Sequence, residues 1–362
     1  MKKVLALVLA LILCLSVFTA CGSKKNDAAT DDTKTNDTAE TETPADGEEE
    51  TAEAGDTDAA SLVSDAFIDP LEDWATYDDM IAEIKSATDY AERTELMHQA
   101  EDVLMSNYCL VPLYYYNDIY LQKDYVEGIY ANLFGTKFFM YATLGEGAPS
   151  TDTLRLQLAS EPAFVDPALN SSVDGACLAA NSFSGLYTYD AEGKCAPACA
   201  TGYEVSDDGL TYTVTLQEGL KWSDGSDLTA KDFEYSWKRA ASDVTAADYG
   251  YMFSGFDGYG TEDGINVTAT DDTTLEFVLT APCAYMEDLM AFPTFFPVKQ
   301  SEVEKYDDWE TNPGHWAQEA GFVSNGAYVC TAWDHDVSMT YEKNPNWYDA
   351  DNVKIEKLEF ML

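Results

Sequence analysis

The sequence predicts a mixed α/β fold, of α/β or α+β class, in which helices and strands alternate and pair over long sequence separations. Three observations predict it. Tyr77, Met80, Ile81 and Ile84 recur at helical spacing, as do Leu96, Ala100, Val103 and Leu104. Leu210, Tyr212, Val214 and Leu216 alternate with threonines, the period of a half-buried strand. Segments of both kinds are scattered through 362 residues that are 46% hydrophobic and 13% aromatic, with no solenoid repeat. That length supports roughly two or three cores.

The first twenty residues are a separate object. Met-Lys-Lys opens the chain, Val4 to Val17 is an almost unbroken apolar run, and FTACGS follows. The run is shorter than the about 20 residues of a spanning helix, so residues 1–20 read as a secretory signal. Residues 21–66 are mostly Asp, Glu, Thr and Ala. So few large apolar groups cannot offset the entropy of ordering, and the segment reads as a disordered acidic tether stretched by its own charge.

Folded sequence is expected from Phe67. Helices are expected at about 76–87 and 90–105, ended by Pro112. Leu113 to Leu121, rich in tyrosine, reads as a strand; Val126-Glu127-Gly128 as a turn; Lys137 to Leu144 as a short strand; and 146–152 as a small-residue linker. LRLQLASEP begins a new strand near Thr153, and a helix is expected over 175–186. Thr229 and Asp232 look like a capping box, with Phe233, Trp237 and Ala240 as the inner stripe of the helix they open. Residues 265–280 read as a hairpin turning at Asp271-Asp272. Asn325-Gly326 opens a strand at Ala327–Ala332. VKIEKLEFML reads as a strand up to the last residue, where a finished domain ordinarily trails into solvent.

The formal net charge of −46 argues against nucleic acid and anionic membrane as partners and for a soluble surface. Beyond Cys21, six cysteines follow, at 109, 177, 195, 199, 283 and 330. The chain is large enough not to need disulfide staples, and most of these positions suit a small buried hydrophobe, so they read as thiols. Cys195 and Cys199 form a C-x3-C pair with no further ligand near it, which is too few for a metal site. No G-x-S-x-G, H-E-x-x-H or glycine-rich phosphate loop stands in the sequence. The three histidines, His98, His315 and His335, form no cluster. An enzyme is therefore not expected, and neither is a cofactor.

The segments LRLQLASEPAFVDPALN, GYEVSDDGLTYTVTLQEGLKWSDGSDLTAKDFEYSWKRA, NGAYVCTAW and EKNPNWYDADNVKIEKLEF make residues 153–362 resemble the first part of extracellular solute-binding protein family 5, the oligopeptide-binding lipoproteins of bacterial ABC importers. DWATYDDMIAEIKSATDYAERTELMHQAEDVLM, VPLYYYNDIYLQKDYVEGIY and FGTKFFMYATL, within 67–145, resemble the other end of the same family. The family's tail thus stands before its head, as a permuted or duplicated segment, and most of the second lobe is missing. The front segment is expected to pack on the 153–362 body, with Lys137 to Leu144 pairing with that body's sheet.

The resemblance implies a periplasmic-binding-protein fold of type II, first lobe plus a small extra domain. It implies capture of extracellular oligopeptides, held extended between the lobes, for ABC permease subunits. It also implies lipidation of Cys21 and an extracytoplasmic, membrane-anchored location. Asn170, Ser171, Ser172, Val173 and Asp174 match a segment whose backbone pairs with peptide, Tyr249 matches a tyrosine lining the pocket, and Asn325 lies in a motif near the cleft. Each has a plainer reading, as a connecting loop, a core tyrosine and a turn. SDAFIDP, with Asp65 and Asp69-Pro70, departs in spacing from the family's amino-group-binding carboxylate and does not carry that role. The competing reading is an incomplete or decayed copy serving as a surface scaffold without a ligand.

Overall fold

Two helices lead the described part of the chain. In the computed structural model, residues 74–362 are described. The expected signal peptide, Cys21, the expected acidic tether and the Asp65–Pro70 stretch lie outside the described residues. Helix α1 spans Ala75–Ser86 and α2 spans Tyr90–Ser106, within a residue of the spans their spacing predicts. Asp89 caps α2, its carboxylate accepting the Glu92 N–H at 2.9 Å. The pair buries only Ile84, Ala100 and Val103, a thin seam between two charged helices.

The stretch Leu113–Leu121 is not a strand. It has no regular secondary structure and no ladder partner among the described residues, and its side chains stand in solvent, Leu113 at 84% and Tyr115 at 96% exposure. Its residues have strand propensity, but a strand is defined by the neighbour that takes its backbone bonds, and none is present among the described residues.

The next four strands are two residues each. β1 (Val126–Glu127) pairs with β4 (Thr143–Leu144), and β2 (Tyr130–Ala131) pairs with β3 (Lys137–Phe138), all antiparallel. The expected turn at 126–128 is a strand end followed by Gly128 at φ +78°; a Cβ there would lie 2.3 Å from the Tyr141 carbonyl oxygen, so only glycine fits. Lys137–Leu144 therefore pairs within its own segment and not with the body's sheet, a correction to the expectation. It packs on the body by side chains instead. Phe138, Phe139, Met140 and Ala142 are buried, and Phe139 meets Phe360 edge to face at 5.8 Å.

The body holds two four-stranded sheets. In the first, β12 (Tyr328–Asp334), β13 (Ser338–Lys343) and β14 (Lys357–Met361) run antiparallel, and β5 (Thr153–Gln157) joins β14 in parallel, Leu154 beside Leu358. In the second, β8 (Ala200–Val205), β9 (Thr211–Leu216), β10 (Val267–Ala269) and β11 (Thr274–Val278) are ordered β10-β11-β9-β8, all antiparallel. The β10–β11 hairpin turns where the sequence places it. A short pair, β6 (Tyr187–Tyr189) with β7 (Cys195–Pro197), adjoins them.

Helix α3 (Val173–Ser182) packs against β12 and β3; it starts earlier than its expected span because Ser172 caps it, Oγ accepting the Gly175 N–H at 3.1 Å, and it ends earlier because the backbone turns extended at Phe183. Helix α4 (Ala230–Ala240) opens with the expected box, the Asp232 carboxylate accepting the Thr229 N–H at 2.8 Å. Phe233, Trp237 and Ala240 are fully buried, and the Trp237 indole N–H donates to the Phe295 carbonyl at 2.8 Å. Two short helices, α5 (Met286–Met290) and α6 (Gln300–Val303), complete the body. One apolar core runs through all of it, from Val126 to Phe360. Among the described residues no helix is long and apolar enough to cross a membrane.

Candidate functional site

The site is built on an anchored loop. Asp166 is completely buried and takes two bonds from the Arg239 guanidinium, at 3.1 and 2.5 Å, one from the Trp316 indole at 2.7 Å and one from the Ala168 N–H at 3.0 Å. Its own carbonyl accepts the Leu169 and Asn170 N–H groups. Arg239 comes from α4, so this ion pair fixes the loop before α3 to that helix.

Asn170 is buried, and its side chain folds over the next turn. Oδ1 accepts the Ser172 N–H and hydroxyl at 3.2 and 3.1 Å, and Nδ2 donates to the Ser172 carbonyl at 3.1 Å. Asn170 therefore shapes the edge and does not project from it. Ser171, Ser172 and Val173 are exposed. The backbone N–H and C=O of Ser171 and the N–H of Val173 have no hydrogen-bond partner among the described residues. Asp174 turns back, accepting the Ser160 N–H at 3.2 Å. The result is a short exposed backbone edge on a rigid base.

Tyr249 is half-buried, its ring edge-on to Phe292 at 5.3 Å. The Val173 edge and Tyr249 are linked by a loop of the front segment. Phe134 meets Phe292 at 5.8 Å, and a Cβ on neighbouring Gly135 would stand 3.5 Å from a Val173 methyl. The 113–121 stretch passes the same place: Asp118 pairs with Lys137 at 2.6 Å, and the Lys137 ammonium lies 5.6 Å from the Tyr120 ring centre. Phe134, Phe292, Asp118 and Lys137 are the neighbours that sequence reasoning missed. The Gly135 N–H closes a turn on the Asn132 carbonyl at 3.1 Å, and no local signal tells what such a turn faces.

Asn325 stands apart from these residues. It is buried, its Oδ1 accepting the Ser184 N–H at 3.1 Å and its Nδ2 donating to the Ser184 carbonyl at 2.9 Å. Both polar ends are engaged, so it fixes the chain at Ser184 and is not open to a ligand. Gly326 is required by close packing: a Cβ would stand 2.4 Å from the Ser182 backbone.

A second tie holds the loop before Asp166. The Glu161 carboxylate accepts from the Trp333 indole at 2.8 Å, pairs with His335 Nδ1 at 2.6 Å and accepts the Asp336 N–H at 2.5 Å. Burial alone would raise the Glu161 carboxyl, but these bonds hold it below the usual carboxylate range, and Glu161 in turn holds His335 above its ordinary value. The cysteines from 109 onward are all free. Burial pushes the Cys195 and Cys199 thiols up to about 12, far from a nucleophile's range. Among the described residues no cluster of three His, Cys, Asp or Glu side chains is placed to hold a metal ion.

Residues 194–362 match the family model described as bacterial extracellular solute-binding proteins, family 5 Middle. The chain is 36% identical over 229 residues to the oligopeptide-binding protein OppA of Bacillus subtilis, covering 60% of this chain and 41% of that protein. It is 36% identical over 210 residues to the dipeptide-binding protein DppE of the same organism, covering 56% and 38%. Among solved structures, OppA of Listeria monocytogenes bound to peptide superposes with a TM-score of 0.54 at 32% identity, over 58% of this chain and 42% of that one. The fold is thus the mixed α/β fold of the substrate-binding proteins, in part: the chain spans about two-fifths of the length of the curated relatives it matches.

Proposed function

We propose that this chain captures extended oligopeptides outside the cell for an ABC importer. The carrying observation is a pair of unpaired backbone edges close together. Residues 110–121 are exposed and make no backbone–backbone hydrogen bond among the described residues, the Tyr115 carbonyl accepting only the Asn117 side-chain amide at 3.3 Å, and the Asp118–Lys137 pair brings them beside the open edge at Ser171–Val173. A peptide lying between two such edges is bound through its main chain, which tolerates many sequences. The similarity to oligopeptide- and dipeptide-binding proteins supports the reading. Tyr249 and Val173 serve as walls of the same surface in this reading, with the front segment of 67–145 acting as the family's tail docked on the 153–362 body.

The test is calorimetric titration with an extended hexapeptide and with the same peptide N-methylated at alternate residues. Main-chain recognition predicts binding of the first and at least about tenfold weaker binding of the second, since each lost bond removes about 0.5–1.5 kcal/mol. Equal affinities, or none, count against it. A Lys-Glu substituted surface at Tyr115 and Tyr116 separates this from a second reading, a ligand-free scaffold, which the exposed apolar run itself favours.

Cys21 is proposed as the lipid attachment point and the extracytoplasmic face of the membrane as the location. Metabolic labelling with a radiolabelled fatty acid is expected to mark the wild-type chain, and Cys21→Ser is expected to remove the label and release the protein into the aqueous fraction. Label retained in the variant sinks the assignment.

A further inference from the structure

A cavity of about 180 Å³ lies where the front segment meets the body. Tyr130 and Tyr141 line it from the front segment; Tyr189, Asp190, Trp347 and Tyr348 line it from the body. It is separate from the exposed edge at Ser171–Val173 and stands whether or not peptide binds there.

The lining has an unusual chemistry. No Lys, Arg or His lines it, and its one charged group is the Asp190 carboxylate. Three of the four tyrosine hydroxyls are engaged: Tyr141 donates to Asp349 at 2.8 Å, Tyr189 to Asp288 at 3.2 Å, and Tyr130 to the Met140 sulfur at 3.7 Å. The Trp347 indole N–H is held by the Ser184 hydroxyl at 2.9 Å. Ring surface, with the hydroxyls of Tyr348 and Thr188, is what remains to meet an occupant. Tyr141 and Trp347 stand 6.4 Å apart between centroids, and Trp347 and Tyr348 4.8 Å. Asp190 Oδ1 accepts the Glu192 and Lys194 N–H groups, while Oδ2 has no hydrogen bond among the described residues.

We propose that this cavity binds a small organic ammonium ion, its cationic head against the ring faces and its charge opposed by Asp190. Aromatic faces carry negative quadrupole, and a desolvated cation over them is held well. A neutral apolar occupant would desolvate Asp190 without giving it a partner. The Tyr130 phenol is pushed up to about 12, by burial first and then by the Asp190 charge, which accords with a cavity of negative potential. In size, an apolar cavity of about 150 Å³ takes benzene, so this one takes an ion of about six to eight non-hydrogen atoms.

The test compares choline with its neutral carbon isostere, 3,3-dimethylbutan-1-ol, by calorimetry and tryptophan fluorescence on the full chain. Choline is expected to bind saturably and at least about tenfold tighter than the isostere. Asp190→Asn, checked for an unchanged circular dichroism spectrum, is expected to lose that margin. Equal binding of the two probes would make the cavity merely apolar and overturn the proposal. So would absence of saturable choline binding, or choline binding unaffected by Asp190→Asn. If that variant fails to fold, the two probes on the unaltered protein decide.

Discussion

At the scale of single residues, buried charge makes the sharpest demand. Asp166 and Arg239 are 0% and 4% exposed in their side chains and are joined by two hydrogen bonds, with Trp316, the Ala168 N–H and the Pro313 carbonyl taking up further bonds and the Arg239 Nε left without a partner among the described residues. Removing one partner leaves the other buried and unpaired, which costs about 3–5 kcal/mol. Arg239→Met is therefore expected to lower unfolding free energy by about that amount in urea titration, and Asp166→Asn with Arg239→Met by less than the sum of the single changes. An additive pair of losses would refute the coupling. His335 makes a weaker, pH-dependent contribution. Glu161 raises its folded pKa, so the stabilisation is fully present below the unfolded value of about 6.5 and is lost as pH rises through the folded one. Glu161 itself is depressed, so its share is lost only as pH falls through the low carboxylate range. The melting temperature difference between wild type and His335→Gln is expected to be largest between those limits and to fade in mild alkali. A difference that grows from pH 6 to pH 9 contradicts the pairing.

At the scale of elements, the docked front segment rests on one side chain more than any other. Asn181, on α3, is almost fully buried; its Oδ1 accepts the Phe139 N–H at 2.8 Å and its Nδ2 donates to the Lys137 carbonyl at 2.8 Å. Asn181→Leu takes the partner from the Phe139 N–H, at about 1–3 kcal/mol, and leaves the Lys137 carbonyl only the weak Cys177 S–H donor at 3.5 Å. The expected result is faster proteolytic cleavage within 125–145 while β12–β14 stay protected from hydrogen exchange. Unchanged cleavage would mean that Phe138, Phe139 and Met140 hold the segment by packing alone.

The same elements mark what was legible in the sequence. The helices α1, α2 and α4, the β9 strand and the β10–β11 hairpin were legible because period, capping and turn chemistry are local. The pairing of 137–144 was not, because partner choice depends on what the segment lands against. Asn325-Gly326 reads as a turn by composition and is a buried clamp, because its partner Ser184 is 141 residues away in the chain. The stretch 170–174 is singled out by the resemblance alone, while Phe134 and Phe292 beside it carry no signal of their own.

At the scale of the whole molecule, the acidic surface and the apolar run oppose each other. A net charge of −46 keeps copies apart. Residues 110–121 do the reverse, with Leu110, Val111, Leu113, Tyr114, Tyr115, Tyr116, Ile119, Tyr120 and Leu121 all exposed along an unpaired backbone. Such an edge is a template for pairing with any extended chain, and the charge decides which. Salt screens repulsion between copies over about 8 Å at physiological ionic strength and leaves backbone pairing intact. Self-association of the chain is therefore expected to rise with salt in sedimentation velocity, and added extended peptide is expected to suppress it by occupying the same edge. Leu113→Lys with Tyr115→Lys is expected to abolish association at every salt concentration, since charge on the edge blocks pairing without touching the buried core. Association that persists in that variant would place the contact elsewhere on the molecule and remove the main argument for peptide capture along residues 110–121.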